Sequence, residues 1–220
     1  MPSATVEDYL KQIYLESSDE LLPMGHLAHA LKVTPGTATA MVKRLAAAEL
    51  VAYEPYSGVK LTQAGQQTAL DVLRRHRLIE SFLVEILKLD WAEVHEEAER
   101  LEHAVSPRLL TAIDALLGHP TVDPHGDPIP GDGGEISRQS HQRLADCIVG
   151  DQYRIARIAD QRPEFLQFLA NHKLRPGNLV TILDSDSTSE AMTLKTDADG
   201  DEAKVTLALT VASRVLVCDP

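Results

Sequence analysis

Two stretches of this chain concentrate residue types that bind divalent cations. "HRLIE" (76–80) sets His76 and Glu80 at i and i+4, and "HEEAERLEH" (95–103) sets His95, Glu99, Glu102 and His103 at i, i+4, i+7 and i+8. On a helix of about 3.6 residues per turn, each set shares one face. Carboxylates gathered on a partly buried face repel one another and are costly to desolvate. A divalent cation reverses that balance, because it brings positive charge and accepts oxygen and imidazole lone pairs. The spacing therefore predicts a metal site, with residues to spare for a second. The competing reading is a solvated face whose glutamates pair with Arg100 or with arginines of the preceding helix. The stretch begins like the metalloprotease motif H-E-x-x-H, but residue 99 is glutamate, so the motif is absent. The remaining histidines, His125 among them, read as polar surface.

These residues need helices to position them. Residues 5–17 carry Val6, Tyr9, Leu10, Ile13 and Tyr14 at helical spacing. A short second helix follows at 24–32, then the turn "VTPG", then a third helix at 36–48, with Thr34 as N-cap and Pro35 at the first helical position. "LVAYEPYSGVKLT" (50–62) reads as a hairpin. Helix, turn, helix and hairpin is the order of a winged helix-turn-helix, in which the helix after the turn enters the major groove. Its DNA-facing residues would be Thr34, Thr37, Thr39, Ala40, Lys43 and Arg44, with Lys60 on the wing. A long helix over 62–87 follows, then one capped by Asp90 and carrying 95–103, then one at 107–117. Residues 118–134 are a Pro/Gly/Asp-rich loop and 135–150 a linker; beyond lie strand-like runs, one helix (163–172) and a hairpin turn at "DADGD" (197–201).

The fold class is thus mainly α with β. It comprises a winged helix-turn-helix (1–65), a helical domain carrying the metal-binding faces (66–134), a linker (135–150) and a small β-barrel (151–220); the resemblance drawn below implies that 66–134 also dimerises and that the barrel is SH3-like. Phe82, Leu83, Ile86, Leu87, Leu109, Leu110, Ile113 and Leu116 are candidates for a dimer surface, the alternative for each being the core of one monomer. The net charge of −12 opposes DNA binding unless a local basic patch, or bound cations, offsets it. Cys147 and Cys218 fit no metal or redox spacing, no apolar run reaches membrane-spanning length, and a cytoplasmic location is the expectation.

The combination resembles the diphtheria-toxin-repressor-like, metal-dependent transcriptional regulators. The resemblance rests on "EDYLKQIY" (7–14), the helix-turn-helix and wing, "RRHRLIESFL" (74–83), "VHEEAERLEH" (94–103), "HGDPIPG" (125–131) and the SH3-like, FeoA-like segment "LRPGNLVTI" (174–182). It implies a primary metal site of Asp8, Glu99, Glu102 and His103. It also implies an ancillary site of His76, Glu80 and His95, assisted from the third domain by Glu164 or Gln161. Iron-type members carry Met and Cys at the positions of Asp8 and Glu99, and the change from sulfur to oxygen suits Mn²⁺. Compact manganese regulators carry glutamate where this chain has Lys11, so the site layout implied is that of the three-domain members. The resemblance implies a homodimeric, Mn²⁺-responsive repressor of metal-uptake genes on a palindromic double-stranded operator, with Fe²⁺, Co²⁺, Zn²⁺ or Cd²⁺ able to substitute. An iron-responsive regulator, a regulator with an organic effector and a metal-dependent hydrolase are the alternatives.

Overall fold

The computed structural model of the protein describes residues 3–17, 20–137, 140–198 and 201–220. It divides into two compact units, one of Met1–His76, Leu101–Ser106 and Pro130–Ile136, the other of Arg77–Arg100, Pro107–Ile129 and Ser137–Pro220.

The first unit opens with α1 (Ala4–Glu16), α2 (Met24–Ala30) and α3 (Pro35–Ala47). Their apolar faces meet around Leu10, Ile13, Leu27, Ala38, Val42 and Leu45, all buried. Thr34 is the N-cap of α3, accepting from Thr37 N at 3.2 Å with Pro35 in the first turn. Strands β1 (Val51–Glu54) and β2 (Gly58–Leu61) pair antiparallel from Val51↔Leu61 to Glu54↔Gly58. Val59 also bridges back to Leu22, which ties this hairpin to the helices. The helix α4 (Gln63–Glu85) begins in this unit. Gly65 sits in its first turn because a Cβ there would lie 1.9 Å from the Leu50 carbonyl oxygen.

The second unit takes over α4 at Arg77 and adds α5 (Val94–Leu101) and α6 (Pro107–Leu116). Leu78, Ile113 and Ile129 form one apolar cluster, edged by Phe82 and Leu110. Of the proposed dimer residues, Leu83 and Ile113 are core, whereas Ile86, Leu87, Leu109 and Leu116 are exposed. The expected helix start at Asp90 shifts to Val94. Asp90 instead caps a turn by accepting from Ala92 N, and Trp91 is drawn into the core of the β-rich region.

That region contains β3 (Gln142–Arg143), β4 (Gln152–Ile158), α7 (Pro163–Asn171), β5 (Leu179–Asp186), β6 (Ala191–Ala198), β7 (Asp201–Ala208), α8 (Leu209–Ala212) and β8 (Val215–Cys218). The sheet runs β3-β8-β4-β5-β6-β7, antiparallel at every paired edge, with bulges in the β4–β8 and β5–β6 ladders. Residues 142–147, expected as linker, join this sheet. β3 pairs with β8, and Leu144 and Cys147 enter the core. The two-residue strand is too short to leave a periodic signal. The turn expected at 197–201 lies partly outside the described residues.

Between α6 and β3 runs the loop 118–137. At Gly126, φ is +86° and an added Cβ would lie 2.0 Å from the Ala156 carbonyl oxygen on β4. Gly126→Ala should therefore cost at least about 2 kcal/mol, through both backbone strain and steric conflict. Urea unfolding checks this, and an unchanged midpoint would mean the loop is not held against β4.

Candidate metal centre and DNA-reading surface

Glu102 is wholly buried, as a carboxylate seldom is without compensation. In the first unit Lys11 Nζ donates to its Oε1 at 2.6 Å, and His76 Nδ1 lies 2.5 Å from its Oε2. The next residue, His103, turns Nε2 toward Asp8 Oδ1 (2.8 Å) and Glu102 Oε1 (3.5 Å). Its other nitrogen, Nδ1, lies 2.6 Å from Glu7 Oε2, and Arg75 holds Glu7 Oε1 at 2.8 Å. A chain of Arg75, Glu7 and His103 thus fixes the imidazole plane, as the outer partners of a ligating histidine do.

Asp8, Glu102 and His103 each present one donor atom, all within 4.8 Å of one another. Two carboxylate oxygens and one imidazole nitrogen, with no sulfur, fit a hard-to-borderline divalent ion such as Mn²⁺, Fe²⁺ or Zn²⁺. Three of the four residues assigned to the primary site are therefore brought together. The fourth, Glu99, belongs to the second unit, where its Oε1 lies 3.7 Å from His95 Nε2.

Of the ancillary residues, Glu80 and His95 meet in the second unit, with Nδ1 3.2 Å from Glu80 Oε1. His76 is engaged with Glu102, as above. Glu164 is exposed in the first turn of α7 and joins none of the metal-competent groups found among the described residues. Its acidic side chain lies at the positive end of that helix. Gln161 is half-buried and donates from Nε2 to Asp127.

The sequence reading missed several participants. Glu7 carries no signal beyond adjacency to Asp8. Lys11 stood out only as a departure from related sequences, yet it is the charge partner of Glu102. His125, read as polar surface, is fully buried: its ring stacks on Trp91 (centroids 5.5 Å apart, 21° between planes) and its Nε2 donates to the Trp91 carbonyl at 2.9 Å. Asp123 is buried beside it. Burial first, then the neighbouring carboxylates of Glu80 and Asp127, pushes the Asp123 carboxyl up to about 8. A Pro/Gly/Asp-rich composition marks this segment as a loop and hides that the loop folds inward.

The DNA-facing assignments fall mostly on exposed positions. Thr34, Thr37, Ala40, Lys43, Arg44 and Lys60 are exposed and Thr39 is half-buried. The hydroxyls of Thr34 and Thr39 are already committed locally. Thr34 caps α3 and meets Thr37 Oγ1 at 2.9 Å, and Thr39 donates to the Pro35 carbonyl.

Residues 1–59 match the family described as iron dependent repressor, N-terminal DNA binding domain. Residues 62–131 match iron dependent repressor, metal binding and dimerisation domain, and 142–218 match the FeoA domain. The chain is 42% identical over 117 residues to an uncharacterised HTH-type transcriptional regulator of Methanocaldococcus jannaschii, covering 52% of this chain and 94% of that protein. It belongs to the iron-dependent repressor family. The diphtheria toxin repressor of Corynebacterium glutamicum is 34% identical over 170 residues, covering 74% of this chain and 73% of that protein. A solved manganese-dependent transcriptional repressor in complex with manganese is 38% identical, with a TM-score of 0.84 over 98% of this chain and all of that one. Members of this family are metal-dependent, DNA-binding repressors of transcription and not enzymes, so the hydrolase alternative falls away. No helix among the described residues is long and apolar enough to cross a membrane.

The Lys11–Glu102 pair makes a sharp test, because Lys11 is 6% and Glu102 0% exposed. Lys11→Met removes the lysine partner of a buried carboxylate, leaving His76 alone against it, and should cost about 3 kcal/mol in metal-free protein. Excess Mn²⁺ should recover much of that loss, since ligand bound only to the folded state stabilises it. Urea unfolding in chelator and in MnCl₂ measures both; an equal loss in the two conditions would separate Lys11 from the metal site.

Proposed function

We propose that this chain is a Mn²⁺-responsive repressor that acts as a homodimer on a palindromic operator controlling metal-uptake genes. The observation that carries the reading is the convergence of Asp8, Glu102 and His103 as an all-oxygen-and-nitrogen donor set. Similarity over nearly the whole chain to a repressor solved with manganese supports it. Glu99 completes the primary set in this proposal. His76, Glu80 and His95 form an ancillary set, assisted from the third domain by Glu164 or Gln161. A bound ion supplies the positive charge that lets these carboxylates face one another.

Asp8 lies on α1, inside the segment matching the DNA-binding domain, whereas Glu102 and His103 lie in the segment matching the dimerisation domain. Shared coordination therefore couples the DNA-reading helices to the dimer. Arg75 and Glu7 hold His103 in the orientation that coordination needs, and Lys11 neutralises Glu102 when no ion does. The spacing of two α3 helices in the dimer must match half-sites on one face of the duplex. Lys43, Arg44 and Lys60 meet phosphates or base edges, with Thr37 and Ala40 facing the groove. Exposed Ile86, Leu87, Leu109 and Leu116 supply apolar surface for the partner. An iron-responsive repressor is the second reading, favoured by the likeness to the diphtheria toxin repressor family. The oxygen donors at Asp8 and Glu99 favour manganese over it.

The test uses an operator selected from random duplex DNA by Mn²⁺-loaded protein. Affinity should rise about 5–150-fold from chelator to Mn²⁺, the usual range of allosteric coupling. Asp8→Met combined with Glu99→Cys should shift the response toward Fe²⁺. Equal affinity in chelator and Mn²⁺ would end the repressor-switch reading, and an unchanged metal ranking in the double variant would end the donor argument.

A further inference from the structure

We propose that Tyr56, at the tip of the β1–β2 hairpin, is a further sequence-reading residue, a wedge that enters the DNA minor groove at a flexible pyrimidine–purine step. The inference deepens the function proposed above and rests on its placement of α3 in the major groove.

The tip is built as more than a connection. Tyr56 is a fully exposed aromatic residue at a place where turns favour small polar ones. Its φ is +67°, a conformation that glycine or asparagine adopts at far lower cost than a bulky side chain. A ring held there at the expense of the fold points to a role outside the fold. The hairpin beneath it is anchored. Ser57 N closes the turn on the Glu54 carbonyl at 3.1 Å, and Leu22 and Val59 exchange two backbone hydrogen bonds of 2.8 and 3.0 Å. A Cβ at Gly58 would lie 2.5 Å from the Leu22 carbonyl oxygen, so the hairpin lies directly against the segment before α2.

Between the hairpin and α3 lies a groove of about 560 Å³. Thr39 and Lys43 of α3, Gly25 of α2, and Tyr53, Pro55 and Tyr56 of the hairpin line it. Lys43 gives the groove a positive wall. Gly25 keeps it open, although the fold does not demand glycine there: φ is not positive and an added Cβ would meet nothing within 4 Å. Glycine inside a helix costs stability, and close approach of another backbone is a use that offsets the cost. The occupant that fits is one sugar–phosphate strand of the duplex. Each strand separates a major groove from a minor groove, so with α3 in the former, a strand seated here puts the hairpin tip over the latter.

The charges of the hairpin decide what the tip does there. Glu54 and Lys60 are the ionic residues of segment 51–61, and they cancel. An uncharged ring gains little from phosphates and much from pressing between bases, which is cheapest where pyrimidine–purine steps unstack. The Tyr56 hydroxyl can donate to adenine N3 or thymine O2 on the groove floor.

The probe is the operator selected by the Mn²⁺-loaded full chain, with binding read by fluorescence anisotropy. Tyr56→Ala should weaken binding about tenfold, and Tyr56→Phe much less. Selection repeated with Tyr56→Ala should lose a pyrimidine–purine preference outside the positions read by α3. The salt dependence should keep its slope in Tyr56→Ala and fall by about one in Lys43→Ala, because only the lysine displaces a counterion. Gly25→Leu should unfold in urea no earlier than wild type yet bind the operator less tightly. Tyr56→Ala with wild-type affinity and wild-type sequence preference would overturn the proposal. So would a uniform loss on all sequences with a reduced salt slope, or unimpaired binding by Gly25→Leu. Wild-type protein that selects no operator in Mn²⁺ would bring down the repressor reading itself, and this one with it.

Discussion

A carboxylate with no access to water governs the architecture around the primary centre. Glu102 cannot remain ionised at zero exposure unless positive charge or strong donors reach it. Lys11 and His76 meet its two oxygens directly. Much of the neighbourhood follows from that requirement. α1 must deliver Lys11 on one turn and Asp8 on the turn before it. Arg75 must restrain Glu7 so that Glu7 can restrain His103. A lysine that neutralises Glu102 and a cation held by Glu102 do the same electrostatic work. Exchange between them offers a physical route from ion concentration to the position of α1.

The second unit handles excess negative charge differently. Asp127 gathers Arg157, Arg77 and Gln161, so it is well compensated. Asp123 is bound mainly by loop amides and a more distant Arg77, and burial first, then the facing carboxylates of Glu80 and Asp127, raises its affinity for protons. The inward fold of the loop depends on Gly126, whose backbone lies against β4 where no side chain fits. A glycine, a stacked histidine and a capping aspartate thus act as one unit.

The helices of the first unit were legible because their determinants are local. Thr34–Pro35 caps α3, apolar residues repeat at helical spacing, and the turn residues of "PYSG" separate β1 from β2. The liganding faces were legible for the same reason, since i, i+4 and i+7 spacing needs no tertiary information. Lys11, Glu7 and Arg75 were opaque as partners because their roles depend on contacts made across 91 positions of the chain for Lys11–Glu102, 96 for Glu7–His103 and 68 for Arg75–Glu7. His125 looked like loop surface because composition reports chain flexibility, not the direction in which a loop folds. β3 was missed because two residues cannot display an alternation.

The central claim is that ion coordination and operator binding draw on one shared arrangement of α1 against Glu102 and His103. Calorimetric titration of Mn²⁺ into the protein, with and without operator DNA, tests it most directly. Linkage requires DNA to tighten Mn²⁺ binding by the factor by which Mn²⁺ tightens DNA binding, and Asp8→Ala should bring that factor close to one. A Mn²⁺ affinity indifferent to DNA in the wild-type protein would contradict the account.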